Sequence, residues 1–136
     1  MREEYNVKCI VCKNEQNGVI QAYENEDDVK VVLILGDIFI SKKADNFFEA
    51  LIKIRKELEK KDIKLLCKGC CRNVYPSGMI LEMGYGRKAY TLTMGKQAEI
   101  KSLVDIFENC QEEEYASVDE QYNYFDKWCN SIRRKY

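Results

Sequence analysis

The seven cysteines are the side chains of this sequence best suited to bind a metal or to act as nucleophiles. Cys9-x-x-Cys12 and Cys67-x-x-Cys70 have the spacing of zinc knuckles, and Cys71 follows the second pair. Both pairs begin within predicted strands, where alternate side chains point to opposite faces, so each pair would diverge. The pattern therefore favours buried free thiols, and we predict no metal and no cofactor. Zinc binding and redox pairing are the alternatives.

The chain contains no histidine. This removes the Ser-His-Asp and Cys-His routes to an activated nucleophile, together with every zinc site that needs an imidazole. Cys70 and Cys71 lie close to Lys68 and Arg72, and neighbouring cations lower the pKa of a thiol. Asp37 is the one candidate base for such a thiol. The sequence therefore favours binding over catalysis, and we assign no catalytic residue.

A glycine-rich segment, MGYGRK at 83–88, offers flexible backbone amides and two cations to an anion. It precedes a predicted strand instead of a helix, so it is neither a Walker loop nor a dinucleotide fingerprint. One interpretation is a phosphate or nucleotide site, and the other is a bent loop with glycines at positive φ. The candidate ligand-binding residues are Asp37, Arg72, Gly84, Gly86, Arg87 and Lys88.

Hydrophobic periodicity predicts one α/β domain over residues 1–136, with a mixed sheet of about five strands and three helices. Strands are expected at 5–12, 19–23, 29–35, 63–67 and 89–94, with Asn17-Gly18 as the first hairpin turn. Helices are expected at 42–60 with Ser41 as N-cap, at 98–107, and from the Ser117–Glu120 capping box onwards. The strands at 29–35 and 63–67 flank a helix, which predicts a βαβ unit with parallel strands.

Two acidic clusters and an aromatic helix are the candidate contacts for a protein partner. An acidic surface would complement the basic cleft of a nuclease and speed association, while tyrosine and tryptophan anchor interfaces. The alternative is that the acidic loops only maintain solubility and that the aromatic residues are buried. The candidate partner-binding residues are Glu24, Glu26, Asp27, Asp28, Glu112, Glu113, Glu114, Tyr124 and Trp128.

Composition bounds the remaining possibilities. A net charge of −1 and a pI near 5.7 give no general attraction to nucleic acid or to an anionic membrane. No apolar run approaches the roughly 20 residues of a membrane span. The N-terminal sequence MREEYNVKC lacks the apolar region of a signal peptide. We therefore expect a cytoplasmic protein.

The stretch VYPSGM at 74–79, followed by MGYGRKAYTLTMGK at 83–96 and LVDIF at 103–107, resembles a small family of uncharacterised bacterial proteins. The resemblance covers residues 64–107 and implies a bacterial origin and the same α/β fold. In general character the chain is similar to immunity proteins of bacterial toxin systems, which are small and acidic and have no catalytic constellation. We therefore predict an immunity protein that binds a cognate toxin tightly. The alternative is a protein or enzyme that binds a phosphate or nucleotide ligand at 68–88.

Overall fold

The computed structural model describes residues 2–82 and 84–133. Within these ranges eight strands form two sheets, and three α-helices and several short 3₁₀ turns surround them. The strands are β1 Arg2–Val11, β2 Asn14–Glu24, β3 Val29–Leu35, β4 Ile38–Ala44, β5 Ile63–Leu66, β6 Val74–Tyr75, β7 Lys88–Thr91 and β8 Leu103–Asp105. The helices are α1 Phe47–Lys60, α2 Gly78–Glu82 and α3 Val118–Arg133. The coarse α/β prediction is confirmed, although the chain has more strand than expected.

The first sheet has the order β4-β3-β2-β1-β5, and all of its recorded strand pairs are antiparallel. The hairpin of β1 and β2 was expected, but its predicted turn is wrong. The chain turns at Cys12 and Lys13, which both have positive φ, as a type I′ turn requires. Gly18 lies inside β2 opposite Val7. This register places the apolar residues of both strands on the face that α1 covers.

Strand β4 replaces the predicted start of the long helix. Ile38 and Ile40 alternate with exposed residues and pair with Leu35 and Leu33 of β3, so this stretch has the period of a strand. Helix α1 therefore begins at Phe47 instead of residue 42. Its N-cap is Asn46, whose side chain accepts a hydrogen bond from the Glu49 amide at 2.9 Å, and the prediction of Ser41 is wrong.

The predicted parallel pairing of the strands at 29–35 and 63–67 is not observed. Strands β3 and β5 are separated by β2 and β1, and the antiparallel pairings make them run in opposite directions. Their carboxyl ends therefore do not face the same edge, and Asp37 is not brought to the loop that follows Cys67. The physical reason is that β5 gains its hydrogen bonds from β1, which the hairpin leaves free on one side.

The core lies between the first sheet and α1. Phe47, Leu51, Ile54 and Leu58 of α1 are at most 1% exposed, and their spacing of three and four residues forms one buried stripe. They pack on the inward residues of the central strands, among them Val7, Ile20, Val31 and Leu33. No helix among the described residues has the length and apolarity of a membrane span.

The second sheet has the order β6-β7-β8 and packs against α3. The helix predicted at 98–107 is wrong, because this range contains a 3₁₀ turn at 100–102 and then β8, which pairs with β7. The helix after the Ser117–Glu120 capping box is confirmed, since the Glu120 amide donates to Ser117 Oγ at 3.1 Å. The apolar spacing of this helix predicts a buried stripe of Val118, Tyr122, Phe125, Cys129 and Ile132. Phe125, Cys129 and Ile132 do pack against the second core, but Tyr122 is 54% exposed, and Gln121 and Trp128 are the buried residues.

A buried polar network joins α1 to α3. Arg55 is 2% exposed and donates to the carbonyl oxygens of Gly69 and Ala116 and to Gln121 Oε1. The two protons of the Gln121 side-chain NH2 group are shared among the carbonyl oxygens of Gly69, Cys71 and Val74, which lie 2.8–2.9 Å from Nε2. These bonds fix the loop 67–74 between the two helices, which a hydrophobic pattern does not reveal.

Candidate partner-binding site

A cleft of about 400 Å³ lies at the end of the first sheet where β2 stops. Ile80 and Leu103 supply apolar walls, and Gly84 leaves one side open because no atom lies within 4 Å of where its Cβ would be. Glu24, Arg87 and Lys88 supply the charges. The cleft is thus assembled from the end of β2, from α2, from the turn 84–86 and from the starts of β7 and β8.

The turn 84–86 is left-handed throughout. Gly84, Tyr85 and Gly86 have φ values of 67°, 56° and 74°. Glycine adopts this conformation readily, whereas a tyrosine there is strained. The interpretation of this segment as a bent loop with glycines at positive φ is confirmed. The turn holds Tyr85 at the surface with 38% of its area exposed.

Arg87 ties this turn to the first sheet. It forms ion pairs with Glu3 and with Glu24 Oε1, the latter at 3.1 Å, and its guanidinium lies 5.2 Å from the centre of the Phe47 ring. Burial disfavours the charged guanidinium, but the hydrogen bond and charge of Glu3 outweigh it and raise the pKa of Arg87. The Tyr5 hydroxyl donates to Glu3 at 2.8 Å, and this bond, with Arg87, lowers the pKa of Glu3 despite burial. The charge of Arg87 is therefore already neutralised within the protein.

The structure brings together four of the six candidate ligand-binding residues. Gly84, Arg87 and Lys88 line the cleft, Gly86 is buried within the same turn, and Lys88 is exposed. Arg72 lies at a separate hollow of about 280 Å³ with Glu113, Glu114 and Tyr124. Asp37 lies in the β3–β4 turn. The six residues therefore do not converge on one ligand.

The first acidic cluster borders the cleft. Residues 25–28 connect β2 to β3, and Glu24, at the end of β2, lines the cleft itself. Asn25 closes the loop, because its amide nitrogen and its side chain both donate to Asp28 at 2.8–2.9 Å. Glu26 and Asp27 are exposed, and no ion pair is recorded for either of them among the described residues.

The second acidic cluster lies elsewhere. Glu112 and Glu114 pair with Lys64 and Lys68 at 3.4 and 3.7 Å. Lys64 lies opposite Ile10 near one end of β1, whereas β2 ends beside Arg2 at the other end. Eight residues of strand separate these positions, roughly 25 Å at the rise of an antiparallel strand. The two clusters therefore do not form one continuous surface.

The aromatic residues predicted to contact a partner are partly buried. Trp128 is 9% exposed, and its indole nitrogen donates to the Lys96 carbonyl oxygen at 2.9 Å. It packs in a cluster with Ile80, Tyr90 and Leu92, so it belongs to the protein interior. Tyr124 is half-buried and lines the hollow near Arg72.

Sequence reasoning missed three exposed apolar side chains that are close in sequence to residues lining the cleft. Met79, Tyr85 and Ile100 are 66%, 38% and 79% exposed. Each lies within three residues of a residue that lines the cleft, namely Ile80, Gly84 and Leu103. An isolated large apolar residue in a short turn is the only sequence signal, and the predicted helix at 98–107 had placed Ile100 in a buried stripe.

The cysteines are mostly packing residues. Cys9 and Cys67 are fully buried and Cys110 is 7% exposed, as expected for small apolar side chains, while Cys129 is only half-buried. Burial raises the pKa of Cys9 to about 12, so its thiol is protonated at neutral pH. In residues 2–82 and 84–133, no three Cys, Asp or Glu side chains are grouped so that they could hold a metal ion.

The candidate activated thiol has a different neighbour from the one expected. Cys70 is fully buried, and its Sγ lies 3.6 Å from Cys67 Sγ. Burial disfavours its thiolate, but the hydrogen bond from Cys67 and the charge of Arg55 outweigh it and lower the pKa of Cys70. Lys68 instead pairs with Glu114. Because Cys70 has no exposed surface, a substrate cannot reach its sulfur in this conformation.

A scan against protein-family models gave no match to this chain, and a search of curated proteins found none with significant similarity.

Proposed function

We propose that this chain is a cytoplasmic protein-binding module, and more specifically an immunity protein that neutralises a bacterial toxin by forming a tight complex with it. The observation that carries this proposal is that Met79, Tyr85 and Ile100 are exposed and that each lies within three positions of a residue that lines one cleft. Contiguous exposed apolar groups on a soluble protein mark interaction surfaces, and interfaces are enriched in tyrosine and methionine.

Tyr85 is the expected anchor of the complex. The left-handed turn and the ion pairs of Arg87, two residues later, fix the backbone at Tyr85 before a partner binds. Backbone that is already ordered loses little conformational entropy on binding, so more of the contact energy contributes to affinity. Strained backbone that the surrounding structure maintains is also typical of functional sites.

The chemistry of the cleft supports binding over catalysis. The Arg87 guanidinium of the cleft is paired with the carboxylates of Glu3 and Glu24. The Tyr5 hydroxyl contacts Glu3 and Asp105. Burial and the Glu3 hydrogen bond raise the pKa of Tyr5, so the phenol stays protonated at neutral pH. These groups stabilise one another and leave no evident general base for a reaction.

The test is native mass spectrometry of the tagged chain recovered from its own host, followed by affinity measurement with the retained protein. We expect a one-to-one complex that Tyr85→Ala weakens by about 30-fold, the effect of losing an interface hot spot. The matched control is Tyr122→Ala, because Tyr122 is also exposed but lines a different hollow, between α1 and α3. Recovery of the bare chain, or equal effects of the two substitutions, would reject the proposal.

A further inference from the structure

We infer that the surface docking on the cleft is a basic protein segment, whose lysine or arginine side chains face the acidic end of the first sheet. This inference rests on the proposed function and adds the chemistry of the partner. It follows from the distribution of charge around the cleft and from the unequal bonding of the cleft carboxylates.

Carboxylates are concentrated at this end of the sheet. The loop 25–28 follows β2, and Asp45 follows Ala44, which pairs with Val29 just after that loop. Glu82 ends α2 beside the turn. Glu3 is paired with Arg87 of the cleft, and Asp105 accepts a hydrogen bond from Tyr5, so both carboxylates lie on the sheet side of the cleft. The carboxylates at this end are Glu3, Glu24, Glu26, Asp27, Asp28, Asp45, Glu82 and Asp105.

Few cations oppose them. Arg87 and Lys88 line the cleft, while Arg2 and Lys101 are paired with Glu4 and Glu99 at 3.1 Å. Lys30 and Lys43 are cross-strand partners at the same end, but alternation places them on the opposite face of the sheet from α1. Because the whole chain has a net charge of only −1, this end is far more acidic than the average surface.

Glu24 is the carboxylate best placed to receive a cation. Its Oε1 accepts a bond from Arg87, and no hydrogen bond to its Oε2 is recorded among the described residues. In contrast, both oxygens of Glu3 are engaged, one by Arg87 and the other by Tyr5. A lysine or arginine could lay its aliphatic stem between Ile80 and Leu103 and place its charged end on Glu24.

An anionic occupant fits less well. Arg87 is already neutralised by two carboxylates, so a phosphate or an acidic peptide would have to displace them or bind Lys88 alone. It would also approach the exposed carboxylates of the 25–28 loop, and like charges repel. A basic segment meets complementary charge on that loop and apolar walls formed by Ile80 and Leu103.

The direct test is an amide NMR titration of the full chain at low salt with a hexa-arginine peptide. Hexa-glutamate peptide and inorganic phosphate are titrated separately. We expect hexa-arginine to produce saturable shifts at 24–28 and 84–88 and much smaller ones at 112–114. The second acidic cluster is thus an internal control for non-specific attraction. Equal shifts at both clusters, or shifts at 84–88 with phosphate or hexa-glutamate, would overturn the inference.

A charge variant gives a second readout. Glu26→Gln combined with Asp27→Asn should weaken hexa-arginine binding about fivefold, because it removes two exposed carboxylates without touching a recorded contact. The matched control is Glu113→Gln combined with Asp119→Asn, two exposed carboxylates near the other hollows. An equal effect of both variants would contradict the inference. If a native complex forms but neither the first variant nor added salt changes its affinity, the inference fails and the proposed function stands. If no complex forms, the proposed function fails.

Discussion

Replacing Gln121 with leucine should remove about 2–4 kcal/mol from the free energy of unfolding. Gln121 is 1% exposed, and its side-chain NH2 group bonds to the carbonyl oxygens of Gly69, Cys71 and Val74. Leucine fills a similar volume, so the change leaves no large cavity. It removes the side-chain donor of these carbonyl oxygens and places an apolar group next to them. Val74 occupies a non-hydrogen-bonded position of the β6–β7 pair, so its carbonyl oxygen points away from β7 and has Gln121 as its recorded partner.

The magnitude follows from the bonds that are lost. The Val74 carbonyl loses its recorded partner, and a buried carbonyl without a partner costs about 1–3 kcal/mol. The bond from charged Arg55 to Gln121 Oε1 is also lost, and a hydrogen bond to a charged group contributes about 1.5–3 kcal/mol. Gly69 keeps its bond from Arg55 Nη1, and Cys71 keeps a bond from the Val74 amide at 3.3 Å, so neither carbonyl loses every partner. Burial of the leucine offsets about 1–2 kcal/mol. The remainder is a large part of the 5–15 kcal/mol that stabilises a typical domain.

Urea unfolding followed by far-ultraviolet circular dichroism measures this loss as a shift of the midpoint at constant slope. The control is Asn123→Leu, an exposed position on the same helix, which should change stability by less than about 0.5 kcal/mol. Combining Gln121→Leu with Arg55→Met should cost less than the sum of the single changes, because the two residues share bonds. A loss below about 1 kcal/mol for Gln121→Leu would refute the view that this network holds α3 in place.

Three further predictions concern backbone space, strain and acid stability. Gly69→Ala should cost about 1–3 kcal/mol in thermal or urea unfolding, because the new Cβ would lie 2.5 Å from Leu51 Cδ2; an unchanged midpoint would contradict the packing. Tyr85→Asn should raise stability by roughly 0.5–1 kcal/mol, since asparagine tolerates φ near 56°, and should weaken the proposed complex; a loss of stability would refute the strain. The Ser117 hydrogen bonds lower the pKa of Glu120, so the stability that they give is present above its unfolded pKa, near 4.3, and is lost as the pH falls through the folded pKa. Glu120→Gln should therefore make the acid side of the stability profile shallower, with Glu3 still contributing; an unchanged slope in unfolding between pH 5 and pH 2 would speak against it.

Local signals in the sequence were sufficient for some elements. The run VKVVLIL predicts β3 with its observed bounds, because seven apolar or long side chains in a row suit a strand with a fully buried face. The Ser117–Glu120 capping box predicts the start of α3 correctly, since the cap depends only on residues three apart. These successes share one property, which is that the determining contacts lie within a few residues.

The errors occurred where distant residues decide the outcome. The end of the strand at Leu35 was predicted correctly, but β4 after Gly36-Asp37 was missed. A two-residue turn before an alternating run is typical of a hairpin, and β3 supplies the partner that selects it. Gln121 was given no role in the predicted last helix. Its bonds to Arg55 and to the 67–74 loop draw it inward, which rotates Trp128 into the second core and leaves Tyr122 exposed. A buried polar pair 66 positions apart cannot be recognised from hydrophobic periodicity.

The cleft depends both on local residues and on contacts between distant residues, and Tyr85 is an example. Glycine or asparagine would satisfy the left-handed backbone at residue 85 at lower free energy than tyrosine does. The tyrosine is 38% exposed and gains no recorded hydrogen bond among the described residues, so only the packing of its buried part offsets the strain. We propose that this strained tyrosine, which follows the cleft residue Gly84, contributes to a contact made outside the chain. On this reasoning Tyr85→Asn should separate stability from binding, which a purely structural tyrosine would not do.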